Sequence, residues 1–252
     1  MNASNLPVLL RSLCLGDMAR VLDATTEQAG RDGWSHVQYL QALCDVEITR
    51  RAERRRERLL KESKLPDGKT LAALEQERFP LRVRRQLSAL LEGRFVEQAD
   101  NVLAFGLPGR GKTHLCCAVV HELIVAKGYR ALFCPAVHLV QQLLVAKRDL
   151  RLEAVLRKLD GYEIIVLDDI GYIQQSREEM EVLFTFLAER YERKSLMITS
   201  NLVFSEWDKI FKDPVTTAAA IDRLVHHSII LELDGDSYRM QHAKNKKQKG
   251  GD

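Results

Sequence analysis

The sequence predicts an α/β fold: a five-stranded parallel sheet between helices, preceded by a small all-helical domain. Three observations predict it. The 252-residue chain shows apolar runs alternating with amphipathic helical stretches from Asn101 onward, as a buried parallel sheet requires. The first 48 or so residues carry helical spacing and no strand signal. Between one apolar run, Asn101–Phe105, and one apolar helix, Leu115–Ala126, lies the glycine-rich segment GLPGRGKT, Gly106–Thr113.

In chain order, Leu6, Leu9, Leu10, Leu13 and Val21 recur at helix-like intervals. Ser35 is placed to cap a helix whose Val37, Leu40, Cys44 and Ile48 share one face. That face predicts the core of the helical domain. Residues 50–64 differ in character. Arg50, Arg51, Arg54, Arg55, Arg56, Arg58, Lys61 and Lys64 meet only Glu53, Glu57 and Glu62, eight basic groups against three acidic. On a helix, Arg51, Arg55 and Arg58 share a face that can track phosphates; the same charges also suit a solvated helix held by i,i+4 pairs. Pro66-Asp67-Gly68 marks a turn, and Arg78, Arg82, Arg84 and Arg85 form a second basic cluster around Phe79-Pro80. These features divide the chain into a helical domain (1–65), a connector (66–100), an α/β domain (101–238) and a basic tail (239–252) of low apolar content.

Strands are expected at 129–134, 163–167, 195–199 and 228–233, with helices at 137–147, 150–159 and 177–193. The overall charge of +3 is too small to argue for a nucleic-acid partner by itself. There is no apolar run of membrane-spanning length and no cationic leader followed by an apolar segment. The five cysteines, Cys14, Cys44, Cys116, Cys117 and Cys134, fit no zinc spacing, so a cytoplasmic chain with reduced thiols is expected.

The chemistry concentrates in four places. Gly106–Thr113 fits the phosphate-loop pattern of Gly, four residues, then Gly-Lys-Thr. Its glycines let successive amides face one anion, Lys112 meets the outer phosphates, and Thr113 offers a hydroxyl to Mg2+. The expected nucleotide contacts are Gly106, Leu107, Pro108, Gly109, Arg110, Gly111, Lys112, Thr113 and His114. Four apolar residues then end in Asp168-Asp169 at the C-terminal edge of a buried strand, where open α/β sheets bind ligands. Asp168 is placed to hold Mg2+ and Asp169 to orient or deprotonate a water. Met197-Ile-Thr199-Ser200-Asn201 ends a third strand, from which Asn201 can reach a γ-phosphate or the attacking water. Arg223, in Ile221-Asp222-Arg223-Leu224, is either a surface residue or a cation for another subunit's site. His226 and His227 read as helix-end residues, with no acid near them at a ligand spacing in sequence.

Taken together, these residues resemble an AAA+ ATPase of the helicase-loader clade. GKTHL (111–115), DDIGY (168–172), ERYERKS (189–195), TSNLVFSEW (199–207), AAAIDRLVHHS (218–228) and SYR (237–239) are similar to IstB-type transposition helper proteins across residues 95–240. The resemblance implies a DNA-binding, ATP- and Mg2+-dependent ATPase that forms homo-oligomers on double-stranded DNA and assists a partner transposase. It implies that Asn201 is a sensor residue, that Arg223 is an arginine finger acting across a subunit interface, and that the separate C-terminal helical lid is missing. Two departures stand out. Leu107 and Arg110 replace residues that are commonly proline and small, and Asp169 stands where many members carry Glu. A loader of a replicative helicase and a small-molecule kinase share the same core motifs.

Overall fold

A computed structural model of the chain describes residues 5–172, 176–202, 206, 214–234 and 237. The chain forms two compact units, Met1–Arg58 and Leu59–Asp252. No described helix is long and apolar enough to cross a membrane.

The first unit is helical: α1 (Leu6–Ser12), α2 (Gly16–Asp32) and α3 (His36–Ser63), the last continuing past the unit border. Ser35 caps α3 reciprocally with Gln38 (3.3 and 2.8 Å), as expected. The core is small, built on Met18, Leu22 and Leu43 with Leu10, Val21, Tyr39 and Cys44 packed beside them. The expected apolar face of α3 is not the buried one. Val37, Leu40 and Ile48 are exposed, as are Leu6, Leu9 and Leu13. The inner side of α3 instead presents Glu47, 4% exposed, whose carboxylate accepts the Asp17 and Met18 amides (2.8 and 3.2 Å) at the start of α2. Arg51 balances Glu47 at 2.9 Å and also donates to the Cys14 carbonyl. Arg54 pairs with Asp17. Burial works to raise the Glu47 pKa, but the Met18, Arg51 and Asp17 hydrogen bonds outweigh it and hold the group low. The Arg54 hydrogen bond likewise lowers Asp17. Of the Arg51, Arg55 and Arg58 face, Arg51 is paired i,i+4 with Glu47 within the unit. Arg55 and Arg56 remain exposed.

In the second unit, the end of α3 is followed by residues read from sequence as a connector. They carry α4 (Leu81–Glu92) and the short α5 (Arg94–Glu97), and Leu74, Phe79, Val83 and Leu87 are packed into the core of the sheet. Then follow β1 (Asn101–Phe105), α6 (Lys112–Lys127), β2 (Ala131–Pro135), α7 (Ala136–Arg148), α8 (Leu152–Asp160), β3 (Ile164–Asp168), α9 (Arg177–Arg190), β4 (Ser195–Ser200), α10 (Pro214–Val225) and β5 (Ser228–Glu232). All pairings are parallel, in the order β2-β3-β4-β1-β5.

Strand residues alternate between two cores. Leu103, Phe105, Ile165, Leu167, Leu196 and Ile198 face α7, α8, α9 and α10. Val102, Ala104, Val166 and Met197 face α4 and α6. Burial on both faces is why these strands read as unbroken apolar runs. A capping box of Ser176 and Glu179 starts α9. The helix ends at Arg190, three residues before the expected stop, where Tyr191 leaves helical geometry (φ −54°, ψ 128°), and the Arg190 side chain turns into the protein. Only 2% exposed, it donates to the carbonyls of Leu159, Tyr162 and Ser195 (3.0, 3.0 and 3.1 Å) below β3 and β4. Burial lowers its pKa to about 10. The expected basic tail, and the absence of a lid, fall outside the described residues.

Candidate nucleotide site

The strand order brings three chain segments to one edge of the sheet. β3, β4 and β1 are neighbours, so their C-terminal ends carry Asp168-Asp169, Thr199 to Asn201 and the glycine loop side by side. The loop needs its glycines. Gly106 has φ +150°, and a Cβ there would lie 2.5 Å from the Leu233 carbonyl oxygen. Gly111 has φ +87° and sits against Phe79, with a Cβ position 3.2 Å from that ring. The start of α6 at Lys112 points its free amides into the same space.

Lys112 is 5% exposed although charged. Its Nζ donates to the Gly106 carbonyl (2.7 Å), the Leu107 carbonyl (3.2 Å) and Asn201 Oδ1 (2.7 Å). The ammonium is thus held at the loop, and Asn201 is tied to it across 89 residues of sequence. Thr113 Oγ1 donates to Asp168 Oδ1 at 2.8 Å, and Thr199 Oγ1 donates to the same oxygen at 2.7 Å. The Asp169 amide donates to Thr199 Oγ1 at 2.9 Å, and Asp169 itself sits at φ +56°. A left-handed backbone costs about 1–2 kcal/mol for a residue with a Cβ, so this turn is held by its surroundings. A hydroxyl and a carboxylate joined at 2.8 Å form a hard-oxygen pair suited to Mg2+. The turned amides and buried ammonium of the loop suit a polyphosphate.

Lys112, Thr113, Asp169 and Asn201 line one open cleft. The loop from Pro108 to His114, Asp169 and Asn201 form one wall. A second part of its lining was missed from sequence. It comes from the expected connector and includes Lys69, Ala73, Leu74, Arg78 and Phe79. Its apolar part offers a surface for a flat ring next to the phosphate loop. Phe79-Pro80 amid arginines was the one visible signal for it. His114 joins the two parts: its Nε2 donates to the Thr70 carbonyl at 3.1 Å, and burial lowers its pKa. Arg110 reaches away from the loop toward the Leu233 carbonyl and Asp234, both at 3.4 Å.

Arg223 is not among the residues lining this cleft. It lies on α10, its guanidinium 4.6 Å from the centroid of the Phe184 ring on α9. Its Nη1 is buried without a hydrogen-bond partner among the described residues. His226 and His227 do have an acid near them, supplied by the turn after α9: Glu192 Oε1 lies 3.6 Å from His227 Nε2. All three are exposed, and the Tyr191 hydroxyl is 2.9 Å from His226 Nδ1, so they form a polar surface cluster between two turns.

Comparison with known proteins adds to this geometry. The family described as IstB-like ATP binding protein matches residues 8–246. A Sinorhizobium fredii protein assigned as an insertion-sequence ATP-binding protein is 41% identical over 98% of this chain and 83% of its own length. A Pseudomonas aeruginosa protein assigned as the ATP-binding protein of insertion sequence IS21 is 37% identical over 94% of this chain and 89% of its own. Among solved structures, the crystal structure of the DnaC helicase loader superposes with a TM-score of 0.54 at 18% identity, covering 61% of this chain and 89% of that one. That likeness is one of fold, the phosphate-loop AAA+ arrangement.

Proposed function

The chain belongs to the IstB-like ATP binding protein family, and on that premise we propose that it is a Mg2+-dependent ATPase that assembles on double-stranded DNA and assists a transposase in moving an insertion sequence. The observation that carries the reading is the meeting of Lys112, Thr113, Asp168, Asp169 and Asn201 at one sheet edge, Lys112 hydrogen-bonded to Asn201, Thr113 to Asp168, and Asp168 linked to Asp169 through Thr199. The glycine loop and Lys112 bind the phosphates, and the apolar wall around Leu74 and Phe79 takes the base. Thr113 and Asp168 hold the metal, which when bound neutralises phosphate charge. Asp169 orients a water for attack at the γ-phosphorus; the bond to the bridging oxygen breaks, ADP leaves, and the water proton passes to Asp169. Asn201 aligns Lys112 and the terminal phosphate. Arg223, which does not line its own cleft, acts in the cleft of a neighbouring subunit. Exposed arginines on α3, Arg55 and Arg56 among them, contact DNA phosphates.

The likeness to a helicase loader rests on fold at 18% identity, whereas the relatives that span nearly the whole chain belong to insertion sequences. This favours a transposase over a helicase as partner. The test is phosphate release by the purified chain, with and without Mg2+ and duplex DNA, beside Lys112→Ala. Metal-dependent turnover that DNA stimulates and the substitution removes is the expected result. Turnover that survives Lys112→Ala, or that is missing even with DNA and Mg2+, overturns the reading. Capture of the co-encoded transposase, and not of a replicative helicase, tests the partner.

A further inference from the structure

Thr199 occupies the next-to-last position of β4 and is fully buried. Its hydroxyl has one proton to give, and the geometry fixes where that proton goes. The Asp169 amide can only donate, so Thr199 Oγ1 accepts there, at 2.9 Å. Its proton is then directed to Asp168 Oδ1, at 2.7 Å. One hydroxyl therefore joins the carboxylate on the metal side to the backbone of the residue on the water side. The Asp169 backbone sits just beyond the strand at φ +56°, in the left-handed region that residues with a Cβ enter at a cost, and the hydrogen bond to Thr199 holds it there. The Ala104–Thr199 and Leu167–Ile198 pairings of the sheet hold Thr199 beside the strand end that carries both acids. Thr113 reaches the same Asp168 oxygen from the loop side.

We propose that Thr199 is a positioning residue that sets the two aspartates in a fixed relation, so that metal binding by Asp168 and water alignment by Asp169 are coupled through its buried hydroxyl. The inference rests on the ATPase reading above and deepens it. Thr199→Val keeps the volume and β-branch of the strand residue and removes the hydroxyl. Asp168 then retains Thr113 alone of the two hydroxyls, and the Asp169 amide loses its acceptor.

The test has two readouts independent of turnover. The first is binding of a fluorescent ATP analogue to the full chain across a Mg2+ titration. Thr199→Val should bind the analogue as wild type does without metal, while the Mg2+ concentration for half-maximal enhancement rises about tenfold, the lower range for loss of a group that orients a metal ligand. The second is hydrogen exchange of the Asp169 amide, which should quicken in the variant while the unfolding midpoint of the chain holds. Thr199→Ser, which keeps the hydroxyl, should return both readouts toward wild type. Thr199→Cys, with a weak donor of similar size, carries the valine expectation if the valine variant does not fold. An unchanged Mg2+ midpoint together with unchanged Asp169 exchange overturns the proposal, as does an equal loss in the serine and valine variants, which marks a packing role. Wild-type chain that shows no Mg2+ effect on nucleotide binding overturns the ATPase reading itself, a separate outcome.

Discussion

Arg223→Ala and Lys112→Ala, each nearly inactive alone, should restore hydrolysis when mixed. The expectation follows from where the two residues lie. Lys112 is 5% exposed within the chain's own loop. Arg223 stacks on Phe184 of α9 and does not line that cleft. On the function proposed above, Lys112 serves the nucleotide of its own chain and Arg223 that of a neighbouring subunit. Truncating Lys112 removes one partner of a desolvated charge contact, a loss of about 2–5 kcal/mol or roughly 30- to 5,000-fold in nucleotide affinity. Removing a supplied arginine typically lowers turnover by about 10³- to 10⁵-fold. In random mixed assemblies of the two variants, about half of the subunits keep the loop and about half of those meet an intact Arg223. About a quarter of interfaces are then complete. The equimolar mixture should reach about a quarter of wild-type turnover, against a background lower by orders of magnitude. Phosphate release is measured at fixed total protein while the ratio is varied, with fluorescence energy transfer between labelled variants reporting mixed assembly. A maximum near equal proportions is expected. Mixed assemblies that form and stay as inactive as their components refute a shared site.

Asp169→Asn should bind ATP with wild-type affinity and lose about 10²- to 10⁴-fold in turnover, since an amide accepts the water proton poorly; separate binding and phosphate-release assays distinguish the two effects, and normal turnover would place the water-orienting group elsewhere. Replacing Arg55 and Arg56 with alanine should weaken DNA binding at every sequence and flatten the slope of log K against log salt by about 0.9 per lost phosphate contact. Anisotropy titrations at several salt concentrations read that slope, and an unchanged value returns α3 to a solvated helix. Arg190→Met should destabilise the chain by about 3 kcal/mol or more, because the Leu159, Tyr162 and Ser195 carbonyls lose a buried donor together; a denaturant midpoint within error of wild type would show that water replaces the guanidinium at no cost.

What could be read from the sequence, and what could not, divides along the range of the interactions. The three central strands, β1, β3 and β4, were legible because each is buried on both faces and so appears as an apolar run. The glycine loop was legible because its chemistry is contained in eight consecutive residues. The face of α3 was not, because hydrophobic periodicity presumes that buried means apolar. There the inner side carries Glu47, desolvated because it caps α2, and the apolar Val37, Leu40 and Ile48 are left outside. The wall formed by Lys69 to Phe79 was not legible either, since it touches the loop across more than 30 residues and follows no period.

The paired aspartates sit between these cases. Their types and their place at a strand end were legible, but their joint use of one site was not implied by the pattern. Adjacent strand residues point to opposite faces, so continued strand geometry would have sent one carboxylate to each side of the sheet. The strand ends at Asp168, and Asp169 turns to φ +56° instead. That turn lets Asp168 meet Thr113 while Asp169 lines the same cleft. Its anchor, the Thr199 hydroxyl, lies 30 residues further along the chain. Two acids in sequence become a single site only because a third strand supplies the group that fixes the backbone between them.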